Sequence, residues 1–317
     1  MLYQNKKTYI NNLNSKIKSV KLRIVKLVFK YIGVDSFIKK INLDNYSFKL
    51  ELSTNDSGLA KQLYFSGWRE FYSTKYYINY LEKIKPKYIF ELGANIGYFA
   101  CIAKSVLEDS FVYCAEPVPK NCKILRRNIE INNFSNVKIF NVGIGEEDSK
   151  STIYTFDFDN WATFNEDHAI ELKNKGYNCK EEVVDIIKLT SLQESLQTPI
   201  DLIRMDIEGY EYEIIKANIE FLNNNEIDIF MEFHTNILEK ERVTEILQIL
   251  ISIGYQYSVV IFNNPFCDND EYFQNTKHKP KRYTIEKLLS EINLLSENEI
   301  KLNDGFELFL SKNNKDI

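Results

Sequence analysis

From residue 87 onward, short apolar runs rich in Val, Ile, Phe and Tyr alternate with longer stretches in which apolar positions recur every three or four residues. The runs at 88–92, 110–115, 137–142, 201–205, 228–233 and 255–262 predict strands, and 305–310 predicts a last one. Between them, 97–107, 119–132, 210–222 and 243–253 predict helices. The last of these carries Val243, Ile246, Leu247, Leu250 and Ile253 at helical spacing. Strands separated by helices of this length predict βαβ units and a mostly parallel sheet with helices on both faces. Burial on both faces explains why the strands read as unbroken apolar runs. Ligands of such sheets bind beyond the carboxyl ends of the strands, so the residues after Leu92, Ala115, Val142, Met205 and Phe233 are where chemistry is sought.

The alternation fails between 146 and 199. There 151–156 and 182–187 read as strands, around a segment carrying Asp157, Asp159, Asn160, Trp161, Thr163, Asn165 and His168. An excursion of this length at the ligand rim predicts a functional insertion. Residues 1–60 read as a separate, basic, helical extension, with one domain over 61–317. Within the extension, Ile17, Val20, Ile24, Leu27, Val28 and Tyr31 share one helical face and Arg23, Lys26 and Lys30 the other. Ten Lys and Arg stand against Asp35 alone in residues 1–40. Peripheral contact of residues 13–40 with an anionic membrane surface is one expectation, and packing on the acidic remainder of the chain is the other.

Composition narrows the class. With 44% hydrophobic and 27% charged residues in 317, the chain can build a large core and is not globally disordered. A net charge of −5 argues against a nucleic-acid coat. The five cysteines, Cys101, Cys114, Cys122, Cys179 and Cys267, include no C-x-x-C pair. A reducing compartment is therefore expected, the cytoplasm, at or near the inner face of its membrane. No secretory leader is read at the N-terminus. The charge-free stretch 246–267 reads as helix, turn and strand rather than as a membrane span.

Each strand end carries a candidate residue. After the first, Glu91-Leu-Gly-Ala-Asn-Ile-Gly-Tyr98 places Gly93 and Gly97 in a tight turn ahead of a helix N-terminus. Asn95 stands where a dinucleotide fingerprint needs its second glycine, so that motif is absent. An acid before the loop, Glu91, suits a ligand bearing an ammonium or sulfonium. After the second strand, Glu116 lies 23 residues beyond Gly93, the spacing of an acid that accepts ribose hydroxyls. Val118 with Gly143 and Ile144 would wall a flat base. After the fourth, Asp206-Ile-Glu208 sets two carboxylates at a strand-to-helix junction, where like charges raise each other's pKa unless a cation intervenes. After the fifth, Glu232 is followed by His234, a natural proton acceptor near neutral pH.

Taken in order, Glu91–Tyr98, Ala115-Glu116-Pro117, Asn128 with Asn132-Asn133, Val142–Gly145 and Asp206-Ile-Glu-Gly-Tyr-Glu211 resemble the FkbM family of S-adenosylmethionine-dependent methyltransferases, over about 67–261. The resemblance implies a class I, Rossmann-like methyltransferase fold: α/β, with a seven-stranded sheet whose final strand is reversed. It implies a donor site built from Gly93, Asn95, Gly97, Tyr98, Glu116, Pro117, Val118, Gly143 and Ile144, with Glu91 or Asp206 near the donor's ammonium. It implies methylation of a hydroxyl, often on the sugar of a glycan or glycosylated metabolite. Arg204 departs from the lysine common in the family. Asp206 and His234 are then the candidate bases, with Glu208 or Glu232 orienting them. The alternative, a divalent cation held by Asp206, Glu208 and Glu232, is kept open with no metal ligand assigned. Asn160, Trp161 and Thr163 are candidates for acceptor contacts. Methylation of a nitrogen on a peptide or small molecule, and a catalytically idle cofactor-binding module, are the competing functions.

Overall fold

The computed structural model describes residues 35–54, 59–156, 162–235, 237–262, 281–296 and 305–313. The chain enters through an antiparallel hairpin, β1 (Ser36–Leu43) and β2 (Tyr46–Ser53), followed by helices α1 (Leu59–Ser66) and α2 (Phe71–Ile84). Then come β3 (Tyr88–Leu92), α3 (Tyr98–Val106), β4 (Phe111–Ala115), α4 (Pro119–Ile131) and β5 (Val137–Phe140). The insertion holds β6 (Gly143–Gly145), β7 (Ser149–Phe156), β8 (Ala162–Thr163), α5 (Glu166–Asn174), β9 (Cys179–Lys188) and α6 (Leu189–Leu196). The chain ends with β10 (Leu202–Met205), α7 (Glu211–Ala217), α8 (Ile219–Asn224), β11 (Asp228–Phe233), α9 (Lys240–Ser252), β12 (Tyr257–Phe262), β13 (Lys281–Thr284), α10 (Ile285–Leu294) and β14 (Phe306–Ser311).

The main sheet runs β13-β12-β14-β11-β10-β3-β4-β5. Its centre, β11-β10-β3-β4-β5, is parallel, and β14 enters antiparallel between β11 and β12. The expected reversed final strand is thus β14. The sheet has eight strands rather than seven, because β13 pairs antiparallel with β12 at the edge. Its sequence, Lys-Arg-Tyr-Thr, is short and polar and gives no apolar run to read.

Alternate residues of each strand face opposite layers. Phe90, Ile203, Ile229 and Met231 pack with helices α6–α10, whereas Ile89, Leu202 and Phe230 pack toward α2–α4 and the hairpin. Phe230 and Phe309 stack across β11 and β14 with ring centroids 3.8 Å apart.

Residues 36–53 are not helical, so the expected 1–60 extension is corrected there, and the span of 13–40 expected to contact a membrane overlaps β1 from Ser36. Ile41, Leu43, Phe48, Leu50 and Leu52 point inward while Asn42, Ser47 and Lys49 point out, the period-two pattern of a half-buried hairpin. Asp44 turns the chain at φ 49°. The basic helix expected before it lies outside the described residues, as do Asn160 and Trp161. The hairpin is tied to the main domain by two asparagines of α4. Asn128 accepts from Glu51 N at 2.6 Å and donates to Ile96 O at 2.8 Å. Asn132 accepts from Lys49 N and donates to Lys49 O, both at 2.7 Å.

The insertion forms a second sheet, β6-β9-β7-β8, over the carboxyl ends of the main strands. Val118 packs there with Ile153, Val184 and Ile186. The helix expected over 210–222 is two, broken at Asn218. Among the described residues no helix is long and apolar enough to cross a membrane.

Candidate functional site

The loop between β3 and α3 closes against its neighbours at backbone distance. Gly93 and Gly97 have φ of 79° and 88°, and a Cβ on residue 97 would lie 2.3 Å from Leu125 Cδ1. Asn95 sits at φ 50°, where its side chain accepts from Ile96 N at 2.7 Å. At the end of β4, the buried Glu116 carboxylate accepts from Asn95 N at 2.8 Å and Val118 N at 2.9 Å, with Asn121 Nδ2 at 3.4 Å. Burial pushes its pKa up to about 7, against the pull of those donors.

These residues border a cavity that opens to solvent. Gly93, Asn95, Glu116 and Pro117 form one side; Val142, Gly143 and Ile144 form another. The insertion supplies Ile153, Ala162 and Phe164, so it is a wall of the site. Asp206, Ile207, Glu208 and Tyr210 complete it, with Arg69 at the acidic end.

Behind that end lies a dense charge network. Asp206 Oδ2 is 3.4 Å from both Arg204 Nη2 and Arg69 Nη2. Arg204 Nη1 lies 3.6 Å from Glu91 Oε2, and its guanidinium covers the Phe99 ring at 3.6 Å. Tyr77 donates to the other Glu91 oxygen at 3.1 Å. Arg69 also pairs with Glu70. Burial would raise the Asp206 carboxyl, but Arg204 above all, then Arg69 and His234, holds it below its usual range. His234 Nδ1 is 2.7 Å from Glu211 Oε1, while Nε2 faces Glu208 Oε2 at 3.5 Å, Asp206 Oδ1 at 3.7 Å and Glu232 Oε1 at 3.9 Å. Burial would lower the imidazole pKa; Glu208, Glu232 and Glu211 outweigh it and hold it well above its ordinary value. Burial pushes Glu208 up to about 7. Burial and then Asp206 hold Glu232 well above its ordinary value.

The structure brings eight of the expected residues to the cavity wall: Gly93, Asn95, Glu116, Pro117, Gly143, Ile144, Asp206 and Glu208. Seven others stand back from it. Glu91 is 1% exposed and committed to Arg204 and Tyr77, so Asp206 is the acid at the cavity. Gly97 shapes the turn. The Tyr98 hydroxyl accepts from Arg69 N at 3.1 Å, placing Arg69. Val118 offers its N–H to Glu116 and its side chain to the second sheet. His234 does not line the cavity; it is surrounded by acids that favour its protonated form. Glu232 sits with it. Thr163 is buried in β8, its hydroxyl accepting from Asn165 N at 3.0 Å.

Sequence reading passed over Arg69, Glu70, Phe164 and Glu211. Glu211 stood in the quoted Asp-Ile-Glu-Gly-Tyr-Glu segment and was readable as part of it. Arg69 and Glu70 precede α2 in a stretch without periodicity and are found only through space.

The family model described as the methyltransferase FkbM domain matches residues 91–257, slightly more than half of the chain. Among known proteins, Methyltransferase 1 of Beauveria bassiana (strain ARSEF 2860) is 26% identical over 143 residues, 41% of this chain and 57% of that protein. The chain thus spans little more than half the length of that relative. Among solved structures, the methyltransferase FkbM of Methylobacillus flagellatus KT is similar with a TM-score of 0.37 and 16% identity, over 62% of this chain and 43% of that one. An O-methyltransferase from Bacillus cereus in complex with SAH gives 0.39 and 14%, over 75% and 80%.

Proposed function

The chain belongs to the FkbM methyltransferase domain family, and on that premise we propose that it transfers a methyl group from S-adenosylmethionine to a hydroxyl oxygen, on a sugar of a glycan or glycosylated metabolite. The observation that carries the reading is that Gly93, Asn95 and Glu116 line one cavity together with Asp206 and Glu208. A nucleoside-binding end and a pair of proton-accepting carboxylates therefore share a single space.

The residues fit the donor. Gly93 carries no Cβ because the Asp206 backbone fills that space, and its own backbone lines the cavity. Glu116 is held by two backbone N–H groups in a fixed orientation, which suits it to accept both ribose hydroxyls. Pro117, Val142 and Ile144 give an apolar slot for the base. Asp206, kept ionised by Arg204 and Arg69, faces the donor's positive charge. When bound, the donor supplies a methyl group activated by its sulfonium.

The protein's part is alignment and proton removal. A sugar hydroxyl is a weak acid, and its oxygen must reach the methyl in line before it loses a proton. Of the four acids and bases after the fourth and fifth parallel strands, only Asp206 and Glu208 reach the cavity. Glu208 is the proposed acceptor of the proton, because Asp206 is bound to two guanidinium groups. Positive charge on His234, 3.5 Å from Glu208, keeps that carboxylate oriented. Tyr210 and Phe164 present aromatic surface in the same cavity, suited to the apolar face of a sugar ring. The unpaired thiols of Cys101, Cys114 and Cys122 agree with a reducing, cytoplasmic setting.

The test is release of S-adenosylhomocysteine from the purified full chain, given S-adenosylmethionine and a panel of glycans, glycosides and amines. Product from sugar acceptors is expected, and from none of the amines. Glu208→Gln should lower kcat by roughly 10²–10⁴ while leaving S-adenosylhomocysteine affinity intact. Unchanged turnover in that variant would remove Glu208 from the chemistry.

A further inference from the structure

His234 is held by one nitrogen only. Its Nδ1 meets Glu211 Oε1 at 2.7 Å, and that carboxylate, fully buried, is itself fixed by Gly209 N at 3.2 Å. The other ring nitrogen, Nε2, turns inward. There it finds oxygens of Glu208, Asp206 and Glu232 at 3.5, 3.7 and 3.9 Å, with no hydrogen bond to any of them. The imidazole is 8% exposed, so water does not crowd it. Acids crowded around one ring nitrogen need positive charge among them, which a proton on Nε2 or a metal ion in its place supplies.

The spacing says what kind of charge fits. Ligand atoms each about 2.0–2.3 Å from one ion lie about 3–4 Å from each other. One oxygen of Asp206, one of Glu232 and a ring nitrogen of His234 all lie within 4.8 Å of one another. Asp206 spends Oδ2 on Arg204 and Arg69, which leaves Oδ1 turned to His234. The buried carboxylate behind the imidazole is the arrangement that orients metal-binding histidines. Asp206 and Glu208 also line the cavity, so a coordination position would open toward the acceptor.

We propose that Asp206, Glu232 and His234, with Glu208 beside them, bind one divalent metal ion at the acidic end of the cavity. The oxygen-rich set favours a hard ion, and the single imidazole favours manganese(II) over magnesium. The site deepens the methyl-transfer reading, since a cation there acidifies the acceptor hydroxyl, and it rests on that reading for its purpose but not for its existence. Glu211 is a positioning residue that acts through His234.

The experiment uses Mn²⁺ alone, without donor or acceptor. Full-length protein stripped with a chelator is titrated with Mn²⁺, and binding is read from loss of the free-ion electron paramagnetic resonance signal. One equivalent should bind saturably. Glu232→Gln and His234→Ala should each weaken binding at least about tenfold, and Glu211→Gln by about 10–100-fold. Far-UV circular dichroism and S-adenosylhomocysteine binding report whether each variant folds. Pulsed measurements on the wild type need no variant, and should show ¹⁴N coupling from one imidazole. Absence of saturable binding, or bound Mn²⁺ without nitrogen coupling, overturns the proposal. So does binding that survives His234→Ala but is lost in Glu307→Gln, which would put the ion among Glu70, Glu232 and Glu307 instead. Methyl transfer that persists in chelator, with no Mn²⁺ bound, removes the metal and leaves the reaction. Bound Mn²⁺ with no acceptor methylated removes the reaction and leaves the site.

Discussion

The backbone oxygen of Asp206 occupies the place where residue 93 would carry a β-carbon: a Cβ built on Gly93 comes within 1.9 Å of it. The loops after β3 and β10 are therefore locked together where both line the cavity. Gly93→Ala must push them apart and also hold a side chain at φ 79°. Overpacking and backbone strain each cost about 1–3 kcal/mol. The variant is expected to lose roughly 2–5 kcal/mol in chemical denaturation and to bind S-adenosylhomocysteine at least tenfold more weakly. Wild-type affinity by calorimetry would show that the loop can yield.

Glu116 makes the protein's behaviour depend on pH. Its folded pKa, about 7, exceeds the ordinary glutamate value of 4.5. Between those values the folded state holds a proton that the unfolded chain has lost, so stability falls as pH rises from about 4.5 to 7 and levels off above. The span corresponds to about 3 kcal/mol. Ribose hydroxyls prefer the ionised acceptor, so donor affinity should move the other way, rising toward tenfold per pH unit below 7 and flattening above it. Glu116→Gln should abolish the affinity slope and make the stability slope shallower. Calorimetric titration with S-adenosylhomocysteine at pH 5.5, 6.5 and 8 checks this, and a pH-independent wild-type affinity would contradict the ribose assignment.

Arg204 is buried between Glu91 at 3.6 Å, Asp206 at 3.4 Å and the face of Phe99. Removing a buried cation leaves its acids uncompensated, at a cost of about 3–5 kcal/mol. Arg204→Ala is expected to lose that much in urea denaturation. Arg204→Lys should lose part of it, because a point charge cannot both fork to two carboxylates and stack on a ring. Adding Glu91→Gln to Arg204→Ala should recover about 0.5–3 kcal/mol relative to additivity. Strict additivity would mean that the two residues are not coupled.

These contacts mark how far the sequence could be read. The strand ends were legible because parallel strands announce themselves as apolar runs, and the topology of such sheets puts ligands where they stop. Glu116, Asp206 and Glu208 followed from that rule. Arg69 and Phe164 did not, because they reach the cavity from α2's approach and from the insertion, and no local pattern encodes which distant segment folds over a site. His234 was found but its role was not. A histidine at a strand end reads as a base until Glu211, Glu208 and Glu232 are seen around it. The hairpin was missed for a different reason: the basic, helix-spaced run before it drew residues 1–60 into one reading, although the alternation from Ile41 to Leu52 was present.

That hairpin bears on donor binding through Asn128. The side chain is fully buried, satisfying Glu51 N–H in β2 and the Ile96 carbonyl in the loop after β3. Asn132, one turn later, makes a similar pair of bonds to Lys49 but remains partly exposed. Water can replace the bonds of Asn132 and cannot reach those of Asn128. Each buried group left unsatisfied costs about 1–3 kcal/mol, so Asn128→Ala is expected to lose about 2–5 kcal/mol, and Asn132→Ala less than about 1. The two should also differ in function. Asn128→Ala frees the Ile96 carbonyl and loosens the loop that carries Asn95, whose N–H holds Glu116. Its affinity for S-adenosylhomocysteine should fall severalfold, while that of Asn132→Ala stays at the wild-type value. Denaturation midpoints and calorimetry on both variants decide the matter: equal losses would mean that the hairpin is merely glued to α4 and has no connection to the donor loop.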